Sequence, residues 1–538
     1  MYPKATVNAV DSMDLSIQKS QFVLVCGQSG CGKTTLLRNL KKEIAPHGKS
    51  SGEIYYNGTL LADLDAKESA SKIGFVRQNP DNQIVTDTVW HELAFGLENL
   101  GLPTPVIRRR VAETAHFFGI NAWFESDVFS LSGGQKQMLN LAAVMAMQPK
   151  LIILDEPTAQ LDPIAAKEFL TVLRRINQEL GTTVILSEHR LEDVLSLSDK
   201  VLLMKDGASE FFGSPKQLIE NMAEQPNHVF GKALPSASRI SLALGEKTSV
   251  PVSVREGRAW LKSLANGTNF DEAEQTITSE KKAPVLQTSD VWFRYDESFV
   301  LRNFSVVVNS GQMMSIVGGN ASGKTTALSV MAGLLEPVRG TVKLNGKRLS
   351  KYKKHEIYKN NIAKLEQNPK TMFACDTVLA DLVEASDNED KRREIIAQLG
   401  LSGLLEKHPY DISGGEQQKV ALGKLLLMEP KILLLDEPTK GIDVYAKDEL
   451  AEILKHRCTL GDAVVIVTHD VEFAAEHSDE CAMIFNGEVM CRDKARDFFA
   501  GNMFYTTSAN RISRDIIPKA ITPKDVIDAC KEKQLFLK

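Results

Sequence analysis

No apolar run in this sequence reaches the roughly 18 residues that a bilayer-spanning helix needs. No membrane span is therefore expected. Cysteine is sparse: seven residues at 26, 31, 375, 458, 481, 491 and 530, none in Cys-x-x-Cys spacing. That excludes zinc ribbons and iron–sulfur ligation, and the odd, dispersed count excludes a secreted disulfide scaffold. The start, Met1-Tyr2-Pro3-Lys4-Ala5, has no charged segment followed by an apolar one, so no signal peptide is expected. Charge of one sign is also lacking. A net charge of −5 and a pI of about 6.1 leave no large basic footprint, and no nucleic-acid partner is expected. These absences describe a soluble protein of a reducing compartment that reaches a membrane only through a partner.

The 538 residues are 43% hydrophobic and 25% charged, enough for two to four ordinary globular domains. The organising feature is a long internal repeat. Gly27-Gln28-Ser29-Gly30-Cys31-Gly32-Lys33-Thr34-Thr35 recurs as Gly318-Gly319-Asn320-Ala321-Ser322-Gly323-Lys324-Thr325-Thr326. Ser132-Gly133-Gly134-Gln135 recurs as Ser413-Gly414-Gly415-Glu416, and Leu154-Asp155-Glu156-Pro157-Thr158 as Leu435-Asp436-Glu437-Pro438-Thr439. The lysines are 291 residues apart and the aspartates 281, so the order holds while the spacing drifts by ten. We read a duplicated domain, residues 1–228 and 284–512, with a linker carrying short helices at 229–283 and a helical tail at 513–538. Short apolar runs such as 22–26, 151–154 and 183–186, alternating with helical patterns, predict an α/β core with a mainly parallel sheet in each copy. The region from about 90 to 130 reads as an inserted helical subdomain.

Gly27 to Thr34 and Gly318 to Thr325 fit the phosphate-loop pattern. The glycines, Gly27, Gly30 and Gly32 in one copy and Gly318 and Gly323 in the other, let backbone N–H groups wrap phosphates. Lys33 and Lys324 would reach the β- and γ-phosphates, and the Thr34 and Thr325 hydroxyls would meet Mg²⁺. Asp155 and Asp436 end apolar strands, where a carboxylate can hold Mg²⁺. Glu156 and Glu437 follow and could orient the attacking water.

The order phosphate loop, glutamine, Ser-Gly-Gly, Asp-Glu, histidine resembles the nucleotide-binding domains of ABC (ATP-binding cassette) proteins, in two copies covering nearly the whole chain. The resemblance implies two tandem P-loop ATPase domains using ATP and Mg²⁺. It makes Ser132, Gly133, Gly134 and Ser413, Gly414, Gly415 the signature motifs, which bind the γ-phosphate held by the opposite domain through a helix N-terminus. It makes Gln78 and Gln367 the Q-loop glutamines, sensing Mg²⁺ and water. His189 and His469 become the switch histidines, 34 and 33 residues after their aspartates. Asp162 and Asp443 match the D-loop aspartates, and Tyr2 and Tyr295 the aromatics that stack on adenine. Ser322, Thr35 and Thr326 complete the nucleotide contacts. Two active composite sites are implied, formed head to tail within one chain. Tyr2 stands at the chain start without the strand that should precede it, so either the first sheet lacks an edge segment or translation begins upstream.

Cys31 occupies the place of Ser322. A helix N-terminus and nearby Lys33 should lower its thiol pKa and make the first site selectively reactive. Residues 78–85 with 95–99, residues 187–193 and residues 498–511 further resemble energy-coupling factor (ECF) importer ATPases in their fused form. That resemblance implies an integral membrane T-component as partner, docked beside the Q-loops at the cytoplasmic face, and a small S-component that binds a vitamin or metal ion. Soluble ABC-F-type ribosome factors share the two-cassette plan but usually carry Thr-Asn-His-Leu-Asp where this chain has 158–162 and 439–443. A sugar importer is the remaining transport alternative.

Overall fold

A computed structural model describes residues 2, 7–268, 270 and 283–535. Part of the 229–283 stretch (269 and 271–282) and the last three residues of the tail lie outside the described residues. The chain divides into two compact units, residues 1–242 with 246–253, and residues 243–245 with 254–538.

Each unit is built on a six-stranded sheet with the same strand order. In the first the order is Ile73–Val76, Leu151–Asp155, Thr183–Ser187, Phe22–Gly27, Lys200–Lys205, Ala208–Gly213. In the second it is Ile362–Leu365, Ile432–Asp436, Ala463–Val467, Met313–Val317, Glu480–Phe485, Glu488–Lys494. All neighbours are parallel except the last pair, which forms a hairpin. The central strands are runs of Val, Ile and Leu because both faces are covered, and parallel strands buried on both sides have no polar face to show. Thr183–Ser187 and Ala463–Val467 are buried along their whole length. The fold is thus α/β, as the alternating pattern requires.

A helical subdomain interrupts each core: Val89–Asn99, Thr104–Phe117 and Gly133–Ala146 in the first unit, Val378–Ala385, Glu389–Gln398 and Gly414–Leu427 in the second. In the first unit its facing residues Val89, Leu93, Leu97, Val111 and Leu139 form an apolar core of their own.

The units differ at their starts. The second carries a four-stranded antiparallel sheet of Phe299–Asn309, Pro284–Arg294, Arg339–Leu344 and Lys347–Arg348. Among the described residues, the first has only the hairpin Tyr55–Tyr56 and Thr59–Leu60 in that layer. Residues 8–11 nevertheless follow the path of 299–302. Asp11 N donates to Gly207 O at 2.8 Å, as Arg302 N does to Gly487 O at 3.0 Å.

The residues after each core repeat too. Ser236-Ala237-Ser238-Arg239-Ile240-Ser241 is matched by Ser508-Ala509-Asn510-Arg511-Ile512-Ser513. Both open short helices, and both backbones are held by a glutamate three positions beyond the histidine of the same unit. Ser236 N donates to Glu192 at 2.8 Å and Ser508 N to Glu472 at 2.7 Å. The helix Val254–Ala265 packs on Ser508–Ser513, and Arg258 Nε donates to Asp515 Oδ2 at 2.9 Å.

Phe169, on the helix Pro163–Leu180, is 1% exposed against Leu154 and Leu186, the strand residues behind the candidate site. Phe169→Ala should cost about 3–5 kcal/mol, read as a lowered chemical-denaturation midpoint.

Candidate nucleotide site

Four carboxyl ends of adjacent parallel strands deliver the candidate residues to one edge of each sheet. Val76 leads to Gln78, Asp155 to Glu156, Ser187 to His189, and Gly27 to the phosphate loop. Crevices outside such strand ends are where ligands bind in open α/β sheets.

The loops are shaped by backbone conformation. Gly30 and Gly32 have φ of 81° and 101°, and Ala321 and Gly323 have 59° and 100°. A β-carbon on Gly32 would lie 2.0 Å from Ala9 O, so only glycine fits there. Lys33 Nζ donates to Gly27 O and Gln28 O at 2.9 and 3.1 Å; Lys324 Nζ donates to Gly318 O and Gly319 O at 3.0 and 2.8 Å. Each ammonium is thereby held over its own loop. The Tyr2 hydroxyl meets Thr35 Oγ1 at 3.0 Å, and the Tyr295 hydroxyl meets Thr326 Oγ1 at 3.4 Å. Both aromatics therefore stand at the same place relative to their loops.

Glu156 and Glu437 take φ of 44° and 51°, a left-handed conformation uncommon for a non-glycine residue. Its recurrence in both copies is strain of the kind found at functional positions. His189 Nε2 lies 2.8 Å from Glu156 Oε1, and Gln78 Nε2 donates to Glu156 Oε2 at 2.7 Å. In the second unit His469 Nδ1 lies 2.8 Å from Glu437 Oε2, while Gln367 is exposed and makes no hydrogen bond to Glu437. Burial would push the Glu437 carboxyl up, but His469 and Lys324 outweigh it and hold it below the usual range.

The aspartates differ more sharply. Asp155 Oδ1 accepts from Thr34 Oγ1 at 3.1 Å and from Ser187 Oγ at 2.9 Å. Burial and neighbouring Glu156 still raise its pKa. Asp436 pairs across the sheet with Val467, which has no hydroxyl to offer. It is fully buried, and neither of its oxygens has a hydrogen-bond partner. Its pKa is pushed up to about 6, chiefly by burial; the Thr325 hydroxyl, near but outside hydrogen-bond geometry, offsets part of this. A buried carboxylate left this way fits a hard cation with oxygen ligands. Thr34, Asp155 and Gln78 in one unit, and Thr325, Asp436 and Gln367 in the other, are the residues that would hold such a cation.

The Ser-Gly-Gly motifs form helix starts. Ser132 and Gln135 make a reciprocal capping box, as do Ser413 and Glu416. Gly133 and Gly414 have open space where a side chain would stand; Gly134 and Gly415 lie tight against Ala165 and Ile442. Asp162 and Asp443 cap the helices that begin at Pro163 and Val444. The capping bonds of these four groups lie within their own elements.

The expectation for Cys31 is overturned. It is 7% exposed, and burial pushes its thiol pKa up despite Lys33. The side chain packs against the sheet among Val23, Val25 and Met204. Loss of water outweighs the nearby positive charge, so the thiol is not activated. Residues to which sequence reasoning gave no role at this site are Ser187 and Glu188 beside the histidine, and Tyr505, whose hydroxyl stands over Gly319, 3.8 Å from where a β-carbon would sit. Comparing 187–189 with 467–469 between the copies would have exposed the first two.

The family model described as ABC transporter matches residues 10–159 and 301–440. A Bacillus anthracis relative, provisionally named an ABC transporter ATP-binding protein, is 44% identical, covering 99% of this chain and 98% of its own. A Streptomyces coelicolor relative with the same provisional name is 32% identical, covering 95% of each. An archaeal ribosome recycling factor, solved in complex with a ribosomal stalk protein, matches 90% of this chain at a TM-score of 0.58 and 18% identity, a likeness of fold.

Asp436→Asn removes a charge whose burial is unfavourable once pH rises above the ordinary aspartate pKa. The raised folded pKa means stability is lost between about pH 4 and 6 and stays lost above, by about 3 kcal/mol at most. The variant should therefore melt higher than the parent at pH 7.5 without nucleotide, and gain less on adding Mg²⁺ and ATP.

Proposed function

This chain belongs to the ABC transporter family of ATP-binding proteins and is an ATPase, and we propose that it is the motor subunit of an ECF-type membrane importer for a vitamin or metal ion. In this reading each of two composite sites joins one unit's phosphate loop and Asp-Glu pair with the other's Ser-Gly-Gly. Glu156 and Glu437 orient the attacking water, and His189 and His469 hold them. Gln78 and Gln367 relay to the partner. Mg²⁺, when bound, neutralises phosphate charge. Lys33 and Lys324 bind the phosphates, and Tyr2 and Tyr295 stack on adenine.

The observation that carries the reading is the 2.7 Å hydrogen bond from Gln78 to Glu156. It ties the candidate water-orienting residue to the loop beyond Gln78, and that loop is a built surface. Glu92, 6% exposed, accepts from Val85 N at 3.0 Å and Thr86 N at 2.9 Å and holds the loop's outer end. Val85 and Trp90 are left 66% and 45% exposed beside it. In the second unit Asp381 does the same for Ala374 N at 3.0 Å, and is itself paired with Lys424 at 2.8 Å. A rigid loop with outward apolar side chains suits a helix presented by a membrane partner. Among the described residues no helix is long and apolar enough to cross a membrane, so the channel would come from that partner. The two loops differ, Asp81-Asn82-Gln83-Ile84 against Lys370-Thr371-Met372-Phe373, which suits an asymmetric T-component with two different helices.

A tagged pull-down from detergent-solubilised membranes should recover one integral membrane protein in stoichiometric amount with a small hydrophobic one. Recovery of ribosomes with an empty membrane fraction would replace the importer by a translation factor. Exchanging residues 81–84 with 370–373 should abolish co-purification while ATP binding, measured with a fluorescent nucleotide, stays within about twofold; full transport in the exchanged protein would contradict the asymmetric docking.

A further inference from the structure

Beside the histidine of the first unit lies a buried carboxylate that the reading above does not use. Glu188 is 2% exposed. Its Oε1 accepts from Thr158 N at 3.1 Å and also from the Thr158 hydroxyl; its Oε2 accepts from His189 N at 3.1 Å. Thr158 belongs to the turn that leaves Glu156. The carboxylate therefore clamps the two chain segments whose side chains, Glu156 and His189, meet at 2.8 Å. An unpaired carboxylate at this depth would be strongly unfavourable. Here three donors converge on it, and both oxygens are used.

The second unit has no carboxylate at this position. Thr468 stands in its place, its hydroxyl 3.3 Å from that of Thr439, and Asp470 N donates to Thr468 Oγ1 at 3.0 Å. In the second unit the two segments are joined by this contact between hydroxyls and by a hydrogen bond from His469 N to Glu437 Oε2 at 3.3 Å, where the first unit has two bonds from Thr158 to the Glu188 carboxylate.

We propose that Glu188 is a positioning residue that acts through His189, holding the His189–Glu156 contact of the first ATP site, and that the second site lacks this device. The inference rests on the roles read above for His189 and Glu156. Its chemistry is specific to a carboxylate. A glutamine keeps one acceptor oxygen but turns an NH₂ group toward a backbone N–H or the Thr158 donors, so at least one bond must break.

The test uses the full chain, vanadate trapping of a photoreactive ATP, and mapping of labelled peptides, which reads the two sites separately. Glu188→Gln should slow trapping on first-unit peptides about tenfold, with the apparent KM for ATP within about twofold, the pattern of a displaced reacting group. In a His189→Ala background the same change should slow trapping no further. Equal slowing in both backgrounds, or none in either, would overturn the proposal. Glu188→Thr copies the Thr–Thr pair of the second unit, a packing this fold already accommodates. It keeps the cycle readable if the glutamine variant does not fold, and parental trapping with Glu188→Thr would also overturn the proposal. If His189→Ala alone traps at the parental rate, the role of His189 fails, a result distinct from failure of Glu188.

Discussion

The side-by-side ending of four parallel strands is the constraint from which the site follows. Hydrogen-bond register places Asp155 opposite Ser187, Ser187 beside Val25, and Leu154 beside Val76. The loops that leave these strands therefore start within reach of one another. Gln78, Glu156 and His189 converge although they are separated by 78 and 33 residues in sequence. A slip of register would turn each strand's side chains to the opposite face and separate the groups. The Val, Ile and Leu content that makes the sheet a core is thus also what aligns the chemistry, and the same alignment recurs in the second unit.

Duplication preserves backbone more strictly than side chains. The left-handed conformation of Glu156 and Glu437, the capping boxes at Ser132 and Ser413, and the glutamate holding Ser236 or Ser508 are common to both units. One divergence at the site lies at the end of a strand, Ser187-Glu188-His189 against Val467-Thr468-His469. It changes three things together: whether the aspartate has a hydroxyl donor, which buried carboxylate accepts from the histidine N–H, Glu188 or Glu437, and which imidazole nitrogen faces the glutamate. The two sites keep the same inventory of named residues and differ in electrostatics.

Burial decides the sign of the charge effects. Cys31 illustrates this, because helix position and Lys33 both favour the thiolate while removal from water opposes them and prevails. Asp436 is raised for the same reason. For Glu437 the balance tips the other way, because a histidine within hydrogen-bond distance and a lysine supply more than burial removes. Sequence proximity names the neighbours of a group; the outcome depends on how much water remains.

The linear sequence by itself determined the duplication, the α/β class, the phosphate loops and the identity of the candidate glutamates, glutamines and histidines. Those features depend on local chemistry: glycines where φ is positive, apolar runs of strand length, and motifs at constant spacing. Tertiary structure alone decided that Ser187 satisfies Asp155 while Val467 leaves Asp436 without a partner, and that Glu188 bridges Thr158 and His189. It also decided that residues 8–11 follow the path of a strand without forming one, and that Cys31 is buried. The physical reason is that these are contacts between segments far apart in the chain. Strand register and exclusion of water govern them, and neither is written in any short stretch of residues.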